Sequence, residues 1–199
     1  MDTPLLIVCT SEFGIEEMST RSFLFNSILR DCEAHLAGID SNVYFLEDRF
    51  DRFDALVFSE DSSPRSRSYN TALGYLNEKG YERVLFVDEN LSIEDSFFFH
   101  KAQKSLKDNQ IVGLAGASEI NLDSSDNFST SWLGFSKEAD RSGSITHFAG
   151  PNTVITSSYG ATPRECEAID GAFVLCDVKS IIDNDLKFDE EIACDGSFF

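Results

Sequence analysis

Positive charge is scarce in this chain: 16 lysines and arginines face 35 aspartates and glutamates, a formal charge of −19 over 199 residues. Such a surface repels nucleic acid and anionic lipid, and no basic patch offsets it. An anionic ligand would therefore need a local cation, from a metal or an arginine. No apolar run approaches the ~20 residues that span a bilayer, so no transmembrane segment is expected. Met1-Asp2-Thr3-Pro4 puts no basic flank ahead of Leu5-Leu6-Ile7-Val8, so that run reads as a first strand rather than a signal peptide, and a cytoplasmic location is expected. Cys9, Cys32, Cys166, Cys176 and Cys194 are odd in number and hold no C-x-x-C pair, which argues against a zinc site or a disulfide framework. Cys9 and Cys176 sit in apolar runs and are expected to be buried small hydrophobes. His35, His100 and His147 lie far apart and follow no ligand or triad pattern. Glycine is missing where a phosphate-cradling loop would need it: Thr10–Gly14 offers only Gly14, which disfavours a nucleotidyltransferase.

What is present is enough apolar residue, 42%, for a globular fold of ordinary domain size. Strands are expected at Leu5–Thr10, Val43–Leu46, Ala55–Phe58, Val84–Val87, Ile111–Ala115 and Ala172–Cys176. Helical spacing covers Ser22–Leu36, Tyr69–Lys79 and Ser96–Lys107. Alternating strands and helices predict an α/β domain with a mostly parallel central sheet flanked by helices. After Ala115 the pattern becomes irregular. Trp132–Phe135 and Thr153–Thr156 read there as strands of a hairpin-like excursion, and Trp132 as core or as a sugar-stacking indole. With no repeat and no linker, 1–199 reads as one domain.

The most informative stretch is Ser66–Ile93, SRSYNTALGYLNEKGYERVLFVDENLSI. It reads as an Asn-led helix, a turn, a buried strand and an acidic cluster where the strand emerges. Val84-Leu85-Phe86-Val87 suits a strand buried on both faces. Open α/β sheets bind ligands at the carboxyl ends of their strands. Asp88, Glu89 and Asn90 stand there, and hard oxygen ligands suit a divalent cation holding a phosphate. The other reading is an acidic loop capping the next helix.

Four ordered segments together resemble the family 2 glycosyltransferases with a GT-A fold: PLLIVCTSEFG, SRSYNTALGYL, YERVLFVDENLSI and CEAIDGAFVLCDVKSIIDNDLKFDEEIACDGSFF. They cover nearly the whole chain. The resemblance implies a nucleotide-sugar-binding half, 1–116, and an acceptor-side half, 117–199. It also implies transfer of a sugar from a nucleotide-diphosphate sugar to a hydroxyl acceptor of unknown identity, with inversion and with Mn²⁺ or Mg²⁺. It makes the ending at Phe199 read as a truncated acceptor site.

By the same resemblance Asp88 is a metal or ribose contact, and Asn90 stands where the family carries a second metal-ligating aspartate. An amide oxygen ligates without charge, so metal affinity should fall. Thr10, Ser11 and Glu12 follow the first strand, where the family cradles base and ribose. Glu47 reads as a base or ribose contact, and Asp48 beside it as a solvated turn. Asn70 reads as a helix cap, as a brace for the Asp88 loop or as a ligand contact, and Arg65 or Arg67 as a phosphate contact. Asp170 is a sugar-hydroxyl contact or a turn aspartate. Asp189, Glu190 and Asp195 are the candidate carboxylates for deprotonating the acceptor. Asn90 and the short C-terminus also admit a non-catalytic GT-A-like domain that binds a sugar nucleotide or a partner protein.

Overall fold

The computed structural model describes residues 4–61, 64–121, 133–150, 153–188 and 190. The chain divides into two compact units, one running to Val112 and resuming at Leu175, the other running from Gly113 through Val174. The strands are β1 Leu5–Thr10, β2 Cys32–Leu36, β3 Val43–Asp48, β4 Phe53–Phe58, β5 Arg83–Val87, β6 Ile111–Gly113, β7 Ala115–Ala117, β8 Arg141–Gly150, β9 Thr153–Gly160, β10 Ala168–Ile169 and β11 Phe173–Asp177. The α-helices are α1 Ile15–Arg21, α2 Arg65–Lys79, α3 Phe98–Ser105 and α4 Val178–Asp183.

In the first unit β1, β4 and β5 form the centre of a seven-stranded sheet in the order β2-β3-β4-β1-β5-β11-β6. Each is a run of apolar residues buried on both faces; Leu6, Ile7, Val8, Leu56, Val57, Leu85 and Phe86 are fully enclosed. Burial from both sides is why these strands carry no polar alternation. β1 pairs in parallel with both β4 and β5.

The expected mostly parallel sheet does not form. β3 runs antiparallel to both β2 and β4, so the large sheet is mixed. The cause lies in Ser22–Leu36, read from its apolar spacing as one helix. A π-helical turn at Phe25–Leu29 ends that pattern, and Cys32–Leu36 then extends as β2. The residues Gly38–Asn42 fold the chain back, Gly38 at φ 75° and Ala37 N–H donating to Val43 O at 2.8 Å. Glycine at positive φ followed by Asp, Ser and Asn is turn chemistry, and it outweighs a helical spacing lacking a cap. β2 is an edge strand, with Glu33 and His35 exposed along it; charge there disfavours further pairing.

Asp48, expected in a solvated turn, is buried at 4% exposure. Its carboxylate grips Arg52 through Nε to Oδ2 and Nη2 to Oδ1, both 2.8 Å, and accepts the Arg52 N–H at 3.1 Å. Burial alone would raise the Asp48 carboxyl; the Arg52 hydrogen bonds and charge outweigh it and hold the carboxyl below its usual value. An acid lowered in the fold stabilises above its unfolded pKa, and the contribution disappears as pH falls through the folded pKa. Wild type should therefore exceed Asp48→Asn in urea-denaturation free energy by a constant margin above pH 5, and that margin should shrink below pH 4. A margin unchanged at pH 3 would refute the pairing.

The second unit carries a four-stranded sheet, β10-β7-β8-β9, antiparallel at every pairing. Thr153–Thr156 is strand, within β9, but the partner expected for it at Trp132–Phe135 is not: Leu133 and Gly134 are a turn and Phe135 a bend, and the hairpin partner is β8. Trp132 lies outside the described residues. Ala115 and Ala117 form a small core with Ile120, Leu133, Ile145 and Tyr159 packed on it. Gly143, at φ 99°, leaves no room for a Cβ against Leu114 and Ala115, so only glycine fits this crossing of β8 on β7.

Candidate functional site

In the first unit β1 lies between β4 and β5. The chain leaving β1 builds β2, β3 and β4 on one side of it; the chain leaving β5 goes through α3 to β6 on the other. Neighbouring parallel strands whose continuations diverge leave a crevice at their carboxyl ends, the usual ligand position in open α/β sheets. The β1–β5 register pairs Val8 with Phe86, and its continuation sets Thr10 and Ser11 level with Asp88 and Glu89. The structure therefore brings these residues level with one another at the carboxyl ends of β1 and β5. Thr10 and Ser11 are buried and Glu12 is exposed.

Several bonds fix the loops at this end. Ser11 N–H donates to Phe58 O at 2.8 Å, and Asp61 N–H donates to Ser11 O at 2.9 Å. Leu24 N–H and Ser22 Oγ both donate to Glu89 O at 2.9 Å. Ile93 N–H reaches Ser27 Oγ at 3.1 Å, so residues 22–27 clasp the acidic loop from outside. Beneath it, Tyr69, Phe86 and Phe188 form a ring cluster with centroids 4.8–5.2 Å apart.

Asp88 is held on both oxygens. Arg65 Nη1 lies 2.6 Å from Oδ2, and Oδ1 accepts from Asn90 N at 2.8 Å and Asn90 Nδ2 at 3.0 Å. Asn90 thus turns its donor to Asp88 and braces the loop. Arg65 opens α2, where a helix N-terminus adds its own positive field. Burial would lower its pKa, but the charge and hydrogen bond of Asp88, with Tyr69 and Glu89 adding to them, together outweigh that and keep the guanidinium charged.

Glu89 is 6% exposed, and its Oε2 has no hydrogen-bond partner. Burial raises its carboxyl, and the neighbouring Asp88 adds to this, against a lowering hydrogen bond from Ser11 and the Arg65 charge. Ser66 Oγ and Tyr69 OH, on the first two turns of α2, are likewise buried without a partner. Orphaned polar groups are rare in folded interiors, and a group of them at a strand-end crevice marks a place where a ligand's hydroxyls or water are received. Burial first, then Glu89 and Asp88, push the Cys9 thiol far up, so it is inert packing rather than a nucleophile. Cys176, also buried, is pushed up to about 12.

An acid raised in the fold weakens stability once it ionises, so Glu89→Gln should stabilise the protein at pH 7. The gain in Tm should be present at pH 7 and should vanish as pH falls below the ordinary glutamate range, where the carboxyl is protonated in both folded and unfolded chains. A melting scan across pH checks this; a loss at pH 7 would contradict it.

The remaining candidates fall elsewhere. Glu47 is exposed near the end of β3, opposite Asp54 at the start of β4. Because β3 is antiparallel, that is the opposite end of the sheet from Asp88. Asn70 lies in the second turn of α2 rather than at its start. It does not brace the Asp88 loop: Nδ2 donates to Phe188 O and Oδ1 accepts from Phe188 N, both at 2.9 Å. Asn70 Nδ2 also reaches Glu190 Oε1 at 2.8 Å, and Arg67 Nε lies 3.6 Å from Glu190 Oε2. Arg67 and Asn70 of α2 therefore form one group with Glu190, which follows α4 in the chain. Asp170 belongs to the second unit, where its Oδ1 accepts Ala172 N–H at 2.9 Å as a turn aspartate ahead of β11. Asp189 and Asp195 lie outside the described residues.

Comparison with known protein families and with curated proteins finds no match for this chain. Among the described residues no group of three His, Cys, Asp or Glu gathers as a metal cage. Mg²⁺-type sites seldom need one, since one or two carboxylates with substrate phosphates and water suffice. Asp88 meets that requirement as a strand-end carboxylate at 14% side-chain exposure, beside the orphaned Glu89 oxygen. Serine, tyrosine and glutamate at this crevice, Ser66, Tyr69 and Glu89, stand out only once the helix and strand are packed. No helix among the described residues is long and apolar enough to cross a membrane.

Proposed function

We propose that the first unit binds a nucleotide-diphosphate sugar over the carboxyl ends of β1 and β5 and transfers the sugar to an acceptor hydroxyl, as a family 2-like glycosyltransferase of GT-A type. The observation that carries this reading is the meeting of Ser11, Arg65, Asp88 and Glu89 at a strand-order switch point, with buried polar atoms lacking partners around them. Thr10, Ser11 and Glu12 receive the nucleoside. Arg65 faces the diphosphate and stabilises its charge as it leaves. Asp88 is the carboxylate that would hold Mn²⁺ or Mg²⁺, with Asn90 orienting it, and the cation when bound supplies Lewis-acid neutralisation of the leaving diphosphate. A carboxylate takes the acceptor proton as the acceptor oxygen bonds to the anomeric carbon and the bond to the diphosphate breaks; Glu190, bound to Asn70 and beside Arg67, stands apart from the crevice residues.

The Arg65–Asp88 pair favours a second reading, a domain that binds the sugar nucleotide without turning it over, since the carboxylate is already satisfied. Thermal melting with UDP or GDP plus Mn²⁺ tests both readings, and both expect a rise in Tm. Hydrolysis or transfer from UDP- or GDP-sugars then separates them. No shift with any nucleotide, with or without metal, would remove both.

A further inference from the structure

Asp88 is the strand-end carboxylate best placed for a cation, and Arg65 already occupies it at 2.6 Å. The guanidinium is mostly enclosed and its partner more so, at 27% and 14% side-chain exposure, so their attraction is little screened by solvent. A metal ion arriving alone must displace that charge from Asp88 and bring a second cation close to Arg65 at the N-terminus of α2. A diphosphate arriving alone meets Asp88 and Glu89, with Glu12 close enough to bear on the Glu89 carboxyl. Each separate event therefore separates charges that the fold has paired. The joint event does not: Asp88 exchanges Arg65 for the cation, and Arg65 exchanges Asp88 for a phosphate oxygen, to which its planar fork is well matched.

Resting on the reading of the site as a diphosphate site, we infer that Arg65 is an internal stand-in for the divalent cation, so that cation and diphosphate each bind more tightly in the other's presence, by a partner exchange at Asp88. The orphaned Glu89 Oε2 and Ser66 Oγ flank Asp88 and Arg65 in sequence and supply polar atoms for the exchanged state. Coupling of this kind is reciprocal: whatever factor the diphosphate adds to metal affinity, the metal adds to diphosphate affinity.

The test uses Mn²⁺ binding by electron paramagnetic resonance and inorganic pyrophosphate binding by calorimetry, on wild type, Arg65→Gln and Asp88→Asn. Wild type should bind Mn²⁺ at least tenfold more tightly with pyrophosphate present than without it, and pyrophosphate at least tenfold more tightly with Mn²⁺ than in EDTA. Arg65→Gln should bind Mn²⁺ alone at least tenfold more tightly than wild type and lose most of the coupling. Asp88→Asn removes the charge that faces Arg65 and should take up pyrophosphate in EDTA better than wild type, which keeps the test decisive if Arg65→Gln does not fold. Equal Mn²⁺ affinity in wild type and Arg65→Gln, or pyrophosphate binding indifferent to Mn²⁺, would overturn the exchange. UDP and GDP separate the two claims: coupling with pyrophosphate but not with either nucleotide upholds the exchange and removes the sugar-nucleotide reading. Coupling with none of the three overturns the exchange as well.

Discussion

Phe86→Ala should lower the unfolding free energy by about 3–5 kcal/mol, the largest effect expected from a single substitution in this fold. Phe86 is fully buried in β5 and packs on Tyr69 of α2 and on Phe188, each at 4.8 Å. Removing the ring opens a cavity where a central strand, a helix and the returning chain meet, and close-packed surroundings relax only partly into it. Two residues further on stands Asp88, so the loosened strand should also degrade the site. Urea denaturation gives the number, and a loss under about 1.5 kcal/mol would mean the rings are not part of the rigid core.

Asp88→Ala should reduce sugar transfer by about 10²–10³-fold with little change in the circular dichroism spectrum. Metal-assisted neutralisation of a leaving group is worth several kcal/mol, and each 1.36 kcal/mol is a factor of ten. The change also removes the partner of Arg65, so some stability is lost; Asp88→Asn keeps the shape and the Asn90 brace and should fall nearly as far in turnover. Steady-state rates with a UDP- or GDP-sugar measure this. A loss under tenfold in both variants would show that Asp88 does not hold the reacting charge.

The central strands were legible because burial on both faces leaves its mark in composition. Leu5–Thr10 is β1 to the residue, and Val84–Val87 lacks only Arg83 of β5. The direction of a strand leaves no such mark. Val43–Leu46 was correctly read as a strand, yet its antiparallel course carries Glu47 away from Asp88, a fact set by pairing with β4. β2 escaped because Cys32, Ala34 and Leu36, although they alternate with Glu33 and His35, also extend the helical spacing of the residues before them. Asp48, expected in a solvated turn, is instead buried against Arg52 four residues on. Nothing local hinted that Asn70 would bind the backbone of Phe188, 118 positions away, or that Arg65 would reach Asp88. Both are tertiary contacts, and the second decides how the site is charged.

A cavity of about 270 Å³ at the other end of the same sheet, lined by Pro4, Arg52, Arg83, Phe99, His100 and Gln103, offers the direct contrast for the central claim. The measurement is a crystal structure of the protein with UDP or GDP and Mn²⁺. The account predicts the diphosphate over the carboxyl ends of β1 and β5, with Ser11 beside the nucleoside, Asp88 on the cation and Arg65 moved onto a phosphate oxygen. Nucleotide bound instead in the cavity around Arg83 and His100, with the Arg65–Asp88 pair intact, would contradict it.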